Sequence, residues 1–465
     1  MNNRIKTIIR ISQLTALFLF MHLKPYAQGT NTTHKRPNII FIITDDQRWD
    51  ALNYAGNELI HTPNMDRLAE EGVYFENAFV TTPICAASRA SIMTGLYERK
   101  HDYTFTKPPL SKELIDKSYF ALLKEAGYYN GYLGKFGVNF ENKLDTTLFD
   151  VYRPYYADFY YRLTDSSTKH THLTEIMSEK ALDFIKNAPS NKPFCLTVSY
   201  NAPHAEDRSP DQFIYPQNVE ALYEDVSIPK PKLGADKYFN QQPDFVKEGL
   251  NRIRWRWRFD DDDKYQRMVK GYYRMISGID ASIGKIRNAL TEKGLDENTI
   301  IIFIGDNGYF LGERQLAGKW LLYDVSLRVP LIIYDPRSDI HKDIETNVLN
   351  IDIAPTILEY SGIEIPDAMQ GISLAGFSQQ REDPVISRDV FLCEHLWDRK
   401  DIPSSEGIRT NNYKYFRYRD YPEHEELYDL EKDPYEKTNL ADKKKFQNIL
   451  IELRKECDKI IEKVE

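Results

Sequence analysis

Cys85 opens the run Cys85-Ala86-Ala87-Ser88-Arg89-Ala90-Ser91-Ile92-Met93-Thr94-Gly95, and its surroundings set a thiol up to react. Pro83 lacks a backbone donor and biases Thr82 towards extended geometry, so the approach to Cys85 reads as loop. Ser88 is expected to cap a short helix with Ile92 and Met93 as its apolar positions and Gly95 as a left-handed stop. Cys85 then sits just ahead of a helix N-terminus, where unpaired N–H groups favour negative charge, and Arg89 points back from one turn further on. Elsewhere three apolar runs end in polar residues: Asp45-Asp46, His204 and Asp306-Asn307. Carboxylates and an amide oxygen without a Cys or His cluster suit a hard divalent cation, Ca²⁺ or Mg²⁺.

The eleven residues from Cys85 to Gly95 match Cys-x-(Pro/Ala)-Ser-Arg-x-x-x-(Leu/Met)-Thr-Gly, and the chain is identified on them as resembling the type I sulfatases. In that family the cysteine is oxidised by a maturation enzyme to Cα-formylglycine, whose hydrated aldehyde is the nucleophile towards a sulfate monoester. The resemblance implies Asp45, Asp46, Asp306, Asn307 and an oxygen of modified Cys85 as metal ligands. It implies that Arg89 and Lys135 hold the formylglycine and sulfate, that His204 faces the leaving oxygen, and that Lys319 contacts sulfate from the same side. Glu426 to Leu430 and Asp433-Pro434 are similar to the family's C-terminal strand and turn.

One position departs from the pattern. Many sulfatases carry Gly-Lys-Trp-His around the first lysine, whereas this chain reads Gly134-Lys135-Phe136-Gly137. His101 and Asn139 are candidates to replace the missing imidazole. For substrate contact, His101, Arg208 and Trp320 are the named candidates, with His170, His172 and Trp397 as similar options. The stretch Arg252 to Arg258 interleaves arginines with Trp255 and Trp257, which suits sulfated sugars or else a solvated helix face with indoles tucked inward. The expected activity is removal of O-sulfate from a sulfated saccharide. The alternatives are a phosphodiesterase or phosphonate monoester hydrolase with the same nucleophile, and a glycan-binding relative without catalysis.

These residues need a scaffold that gathers strand ends. Asn38 to Thr44, Tyr128 to Leu133, Phe194 to Tyr200, Thr299 to Ile304 and Val329 to Tyr334 read as buried strands. Between them fall helical patterns at Thr62–Glu71, Ser118–Ala126, Thr174–Ala188 and Tyr265–Glu292. Residues 145–170 read as an irregular excursion and 205–262 as a long insertion. Beyond residue 380 four short antiparallel strands and a terminal helix over Asp442–Val464 are expected. The fold class is α/β: a large mixed, mostly parallel sheet sandwiched by helices, alkaline-phosphatase-like by resemblance, with a smaller C-terminal α+β antiparallel-sheet subdomain.

Residues 1–27 read as an export signal, with Arg4, Lys6 and Arg10 before an apolar core from Leu14 to Leu23. The catalytic domain is expected over 28–380 and the C-terminal subdomain over 381–465. The 465 residues are 42% hydrophobic and 28% charged, ample for a large core. A net charge of −9 argues against nucleic-acid binding by phosphate neutralisation. Four scattered cysteines (Cys85, Cys195, Cys393, Cys457) form no disulfide framework. The expected setting is a bacterial periplasm or the exterior, without stable membrane association after signal cleavage.

Overall fold

The computed structural model describes residues 36–141, 145–155, 160–163, 170–380, 384 and 388–465; the export-signal reading of 1–27 lies outside them. Residues Pro37–Glu465 form one compact unit. Its centre is an eight-stranded sheet of β1 (Asn38–Thr44), β2 (Val73–Phe75), β3 (Tyr129–Gly134), β4 (Val151–Pro154), β5 (Phe194–Ser199), β6 (Thr299–Gly305), β7 (Leu331–Tyr334) and β8 (Lys342–Ile344). Across the sheet the order is β8-β2-β7-β6-β1-β5-β3-β4. The run from β6 to β4 is parallel, and β7 is antiparallel to both neighbours.

The hydrophobic pattern of β1 explains the layers. Ile39, Phe41 and Ile43 face one core and Ile40 and Ile42 the other, so the strand is buried on both sides. The helices α1 (Pro63–Glu70), α2 (Cys85–Thr94), α3 (Tyr119–Glu125), α4 (Leu173–Asn187), α5 (Leu250–Arg258), α6 (Asp262–Glu292), α7 (Ile353–Tyr360) and α8 (Gln447–Val464) flank the sheets. Met177 and Ile185 of α4 pack with Ile276, Ile279 and Ile283 of α6 on the Ile40 face. Ala90 and Ile92 of α2 join Phe120 of α3 and Ile357 of α7 on the other.

A second sheet, β9 (Val390–His395), β10 (Ser405–Thr410), β11 (Tyr413–Tyr418) and β12 (Tyr421–Asp429), is antiparallel throughout. It shares the Ile39-face core, with Phe391 5.2 Å from Phe79 between ring centroids. Arg99 also crosses to it, bonding Glu394 at 2.9 Å and Glu406 at 3.0 Å. Among the described residues no helix is long and apolar enough to cross a membrane.

Several sequence expectations shift. The excursion at 145–170 supplies β4, which extends the sheet beyond β3, and its remainder lies partly outside the described residues. The insertion over 205–262 holds three short helices, Asp236–Asn240, Asp244–Lys247 and α5. Helix α6 begins at Asp262 because Asp261 caps it, accepting from Lys264 N at 2.8 Å. The terminal helix begins at Gln447, so Lys443 to Lys445 precede it.

Candidate active site at the strand ends

Register decides where the chemistry sits. Ile43 pairs with Ser199 and Ile304, and Ser199 with Gly134, so β1, β3, β5 and β6 end level. Hydrogen bonds carry this alignment past the strands. Lys135 N donates to Ser199 O at 2.8 Å, Asp45 N to Ala202 O at 3.1 Å, and Asp306 N to Thr44 O at 2.9 Å. Ligands in open α/β sheets bind at such carboxyl ends.

Asp45, Asp46, Asp306 and Asn307 meet there, all buried. Asp46 adopts a left-handed backbone, φ 69°, held by its N–H to Asp306 Oδ1 at 3.2 Å and by Tyr272 OH donating to its carbonyl at 2.8 Å. Strain of this kind persists only where neighbours enforce it. Asn307 Nδ2 donates to Asp46 Oδ1 at 2.6 Å. Asp45 Oδ1 and Asn307 Oδ1 are buried without a hydrogen-bond partner among the described residues. Two orphaned hard acceptors beside two further carboxylates fit a divalent cation. Asp45, Asp46 and His204 each offer a ligand atom within 4.8 Å of the others.

Three basic side chains answer the three carboxylates. Arg89, fully buried, donates from Nε to Asp306 Oδ2 at 2.7 Å and from Nη1 to Lys135 O at 2.7 Å and to Ser199 Oγ. Lys135 Nζ donates to Asp45 Oδ2, and Lys319 Nζ donates to Asp46 Oδ1. Burial works against charge on Asp45, yet Lys135, Lys319, His204 and Arg89 outweigh it and hold its pKa well below the carboxylate range. Burial likewise opposes Lys319, but Asp46 and its acidic neighbours hold the pKa of this ammonium well above the usual value. Asp306 goes up instead, through burial and then the charge of Asp45.

Cys85 is the first residue of α2, with Ile84 as N-cap; the expected cap at Ser88 is not used. Ser88 lies inside the helix and its Oγ accepts from Asn350 Nδ2 at 2.9 Å. Gly95 stops the helix at φ 69° as expected. Cys85 is 5% exposed and lies close enough to Arg89, Lys135 and Lys319 for a charge on it to act on each.

His204 Nε2 stands 3.9 Å from Asp46 Oδ2. Burial, then the two lysine charges against the pull of Asp45 and Asp46, brings its pKa down to about 4. Its loop is fixed by Tyr160 OH, which donates to Asn201 O and His204 O, and by Asp207. Arg254 donates to Asp207 Oδ2 at 2.5 Å and Arg258 to Asp207 Oδ1. The arginine-rich stretch thus braces the His204 loop, while Trp257 is 43% exposed.

The substrate candidates separate. Trp320 is buried at φ 83°, donates its backbone N–H to Pro83 O at 3.1 Å, and carries the Arg254 guanidinium 4.8 Å above its ring. Arg208 is exposed and makes no ion pair among the described residues. His101 does not reach a substrate: it is buried, Nε2 bonds Ser91 Oγ at 3.0 Å and Nδ1 accepts from Tyr103 N at 3.1 Å, so both nitrogens are spent inside the fold. Asn139 is exposed. Ser199, Tyr272, Tyr160 and Asp207 support the site without a motif to announce them; only Asp207, an acid three residues after His204 in a chain with a later arginine cluster, left a trace.

A family model described as Sulfatase matches residues 37–363, and one described as N-sulphoglucosamine sulphohydrolase, C-terminal, matches 312–463. The N-acetylglucosamine-6-O-sulfatase of Bacteroides thetaiotaomicron is 27% identical, over 96% of this chain and 90% of that protein. The arylsulfatase of Clostridium perfringens is 29% identical, over 90% of this chain and 93% of its own. A solved structure of a protein in complex with its substrate D-glucosamine-2-N,6-O-disulfate superposes with a TM-score of 0.76 at 25% identity, covering 92% of this chain and 99% of that one.

Proposed function

The chain belongs to the sulfatase family, and from that premise we propose that it is an exported, periplasmic or secreted, bacterial enzyme that removes O-sulfate from a sulfated saccharide. The domain arrangement proposed with it is a signal peptide over 1–27, a catalytic domain over 28–380 and a C-terminal subdomain over 381–465. The observation that carries the reading is the meeting of Asp45, Asp46, Asp306 and Asn307 with Arg89, Lys135, Lys319 and His204 beside Cys85.

Asp45, Asp46, Asp306, Asn307 and an oxygen on modified Cys85 are the proposed holders of Ca²⁺ or Mg²⁺, which neutralises charge on the ester oxygens. Cys85 is the proposed substrate of a formylglycine-generating maturation enzyme, and the hydrated aldehyde supplies the nucleophile. Arg89 keeps Asp306 and the Lys135 carbonyl in place, and its Nη2 has no hydrogen-bond partner among the described residues. That leaves a donor for the modified side chain or a sulfate oxygen. Lys135, paired with Asp45, and Lys319, paired with Asp46, offset the substrate's negative charge. His204, on the loop beyond β5, is neutral in the free site, and the negative charge of a bound sulfate ester favours the imidazolium that donates the proton a poor alkoxide leaving group needs.

The test is turnover of matched sulfate and phosphate esters by one purified sample. Sulfate-ester hydrolysis on sulfated sugars supports the reading. Preferential hydrolysis of phosphate diesters or phosphonate esters would replace it with the phosphorus-based alternative, and turnover of neither would favour a glycan-binding relative.

A further inference from the structure

Beside Cys85 lies a small apolar cluster that the proposed chemistry does not use. Ile84, Ala87, Leu250, Trp320 and Ile402 are buried together, with Trp397 packed against them. Trp397 belongs to the segment between β9 and β10, so the C-terminal sheet delivers an aromatic ring to the neighbourhood of the nucleophile. Its outer neighbour is Phe105, 5.1 Å away between ring centroids and 52% exposed. Arg399 lies over the Trp397 ring at 5.0 Å and is tied to Asp401, so it props the indole and carries little free charge.

Two donors in this wall are idle. Trp397 Nε1 and Arg254 Nε are buried without acceptors among the described residues. A buried donor without a partner costs about 1–3 kcal/mol unless a ligand or water supplies the acceptor. An exposed phenyl ring beside a half-buried indole presents apolar faces, and the two donors require oxygen acceptors. A pyranose ring offers both, C–H faces for the rings and hydroxyl or sulfate oxygens for the N–H groups.

We infer that Phe105, Trp397 and Arg254 form a second sugar subsite, so that the preferred substrate is a sulfated oligosaccharide instead of a sulfated monosaccharide; the inference rests on the glycan-sulfatase reading. The sulfated residue sits over Cys85, and the adjoining sugar stacks on the Trp397 and Phe105 rings.

The test uses the full matured chain on a panel of 2-, 3-, 4- and 6-O-sulfated monosaccharides and the same sugars extended by one residue at either end. The expected result is kcat/KM at least tenfold higher for an extended substrate than for its monosaccharide. Trp397→Ala is expected to cut that ratio about tenfold, Phe105→Ala severalfold, and Trp397→Phe to restore most of it. Should Trp397→Ala fail to fold, the exposed Phe105 carries the measurement. A wild-type ratio near one, or a ratio untouched by either substitution, overturns the subsite while sulfatase activity stands. Hydrolysis of no sulfate ester removes the premise and the subsite with it.

Discussion

A Cβ on Gly137 would lie 2.7 Å from Cδ of Arg89, and Gly137 itself sits at φ 76°. On this backbone, with Arg89 bonded to Asp306, any side chain at 137 enters the space of Arg89. Gly137→Ala is expected to cost about 1–3 kcal/mol from the left-handed backbone alone and, by moving Arg89, to lower kcat at least tenfold. Wild-type melting temperature and kcat in that variant would dismiss the constraint.

His204 is the proposed proton donor to the leaving group, a role that matters most when that group is poor. His204→Ala is expected to lower kcat by about 10²–10⁴ on an alkyl sugar sulfate and far less on 4-nitrophenyl sulfate, whose phenolate leaves unaided. Equal losses on both esters would assign His204 to binding or to structure.

Cys85 is expected to be converted when the chain is produced alongside a formylglycine-generating enzyme, leaving the peptide that spans it about 18 Da lighter than the thiol form. Cys85→Ser is expected to lose more than 99% of turnover while melting as the wild type does. Full activity from an unconverted thiol would refute the aldehyde.

Removal of divalent cations is expected to abolish turnover and leave the fold nearly intact. Arg89, Lys135 and Lys319 already compensate Asp45, Asp46 and Asp306, so no uncompensated cluster of buried charge is left behind. Chelator-treated protein should melt within a few degrees of the loaded form and regain activity with Ca²⁺ or Mg²⁺. Global unfolding on chelation, or rescue by Zn²⁺ alone, contradicts this.

Glu98 gives a pH signature away from the site. It is buried and accepts from Thr82 Oγ1 at 2.5 Å. Burial and then the nearby Glu394 push its pKa from 4.5 to about 8. The folded state thus holds a proton that the unfolded chain releases, so its contribution is full below pH 4.5 and lost as pH rises towards 8. Glu98→Gln is expected to match the wild type near pH 4.5 and to melt several degrees higher near pH 8.5. A gap independent of pH, or of opposite sign, would mean that Glu98 is ionised in the fold.

The strands were legible because β1 and β6 are unbroken apolar runs ending in acids, a pattern that burial on both faces imposes. Short elements such as β2, β4 and β8 were not, since three or four residues carry no period and their pairing is set by the neighbours already in place. At the site, Cys85, Arg89 and the strand-end acids announced themselves. His101 misled because a histidine six residues past a motif looks available, and only packing reveals that Ser91 and the Tyr103 N–H hold both nitrogens. Ser199 and Tyr272 act through single hydroxyls on common residues, which no spacing rule singles out.

Asp207 holds two arginines of α5 and sits on the same loop as His204. His204, the proposed proton donor, is therefore moored to the insertion, while Asp45, Asp46 and Asp306 follow β1 and β6 and Cys85 opens α2. Drift within that insertion can re-aim the imidazole at differently shaped alcohols and leave the floor of the cleft as it was. New leaving groups become reachable without rebuilding the charge-bearing half of the machine.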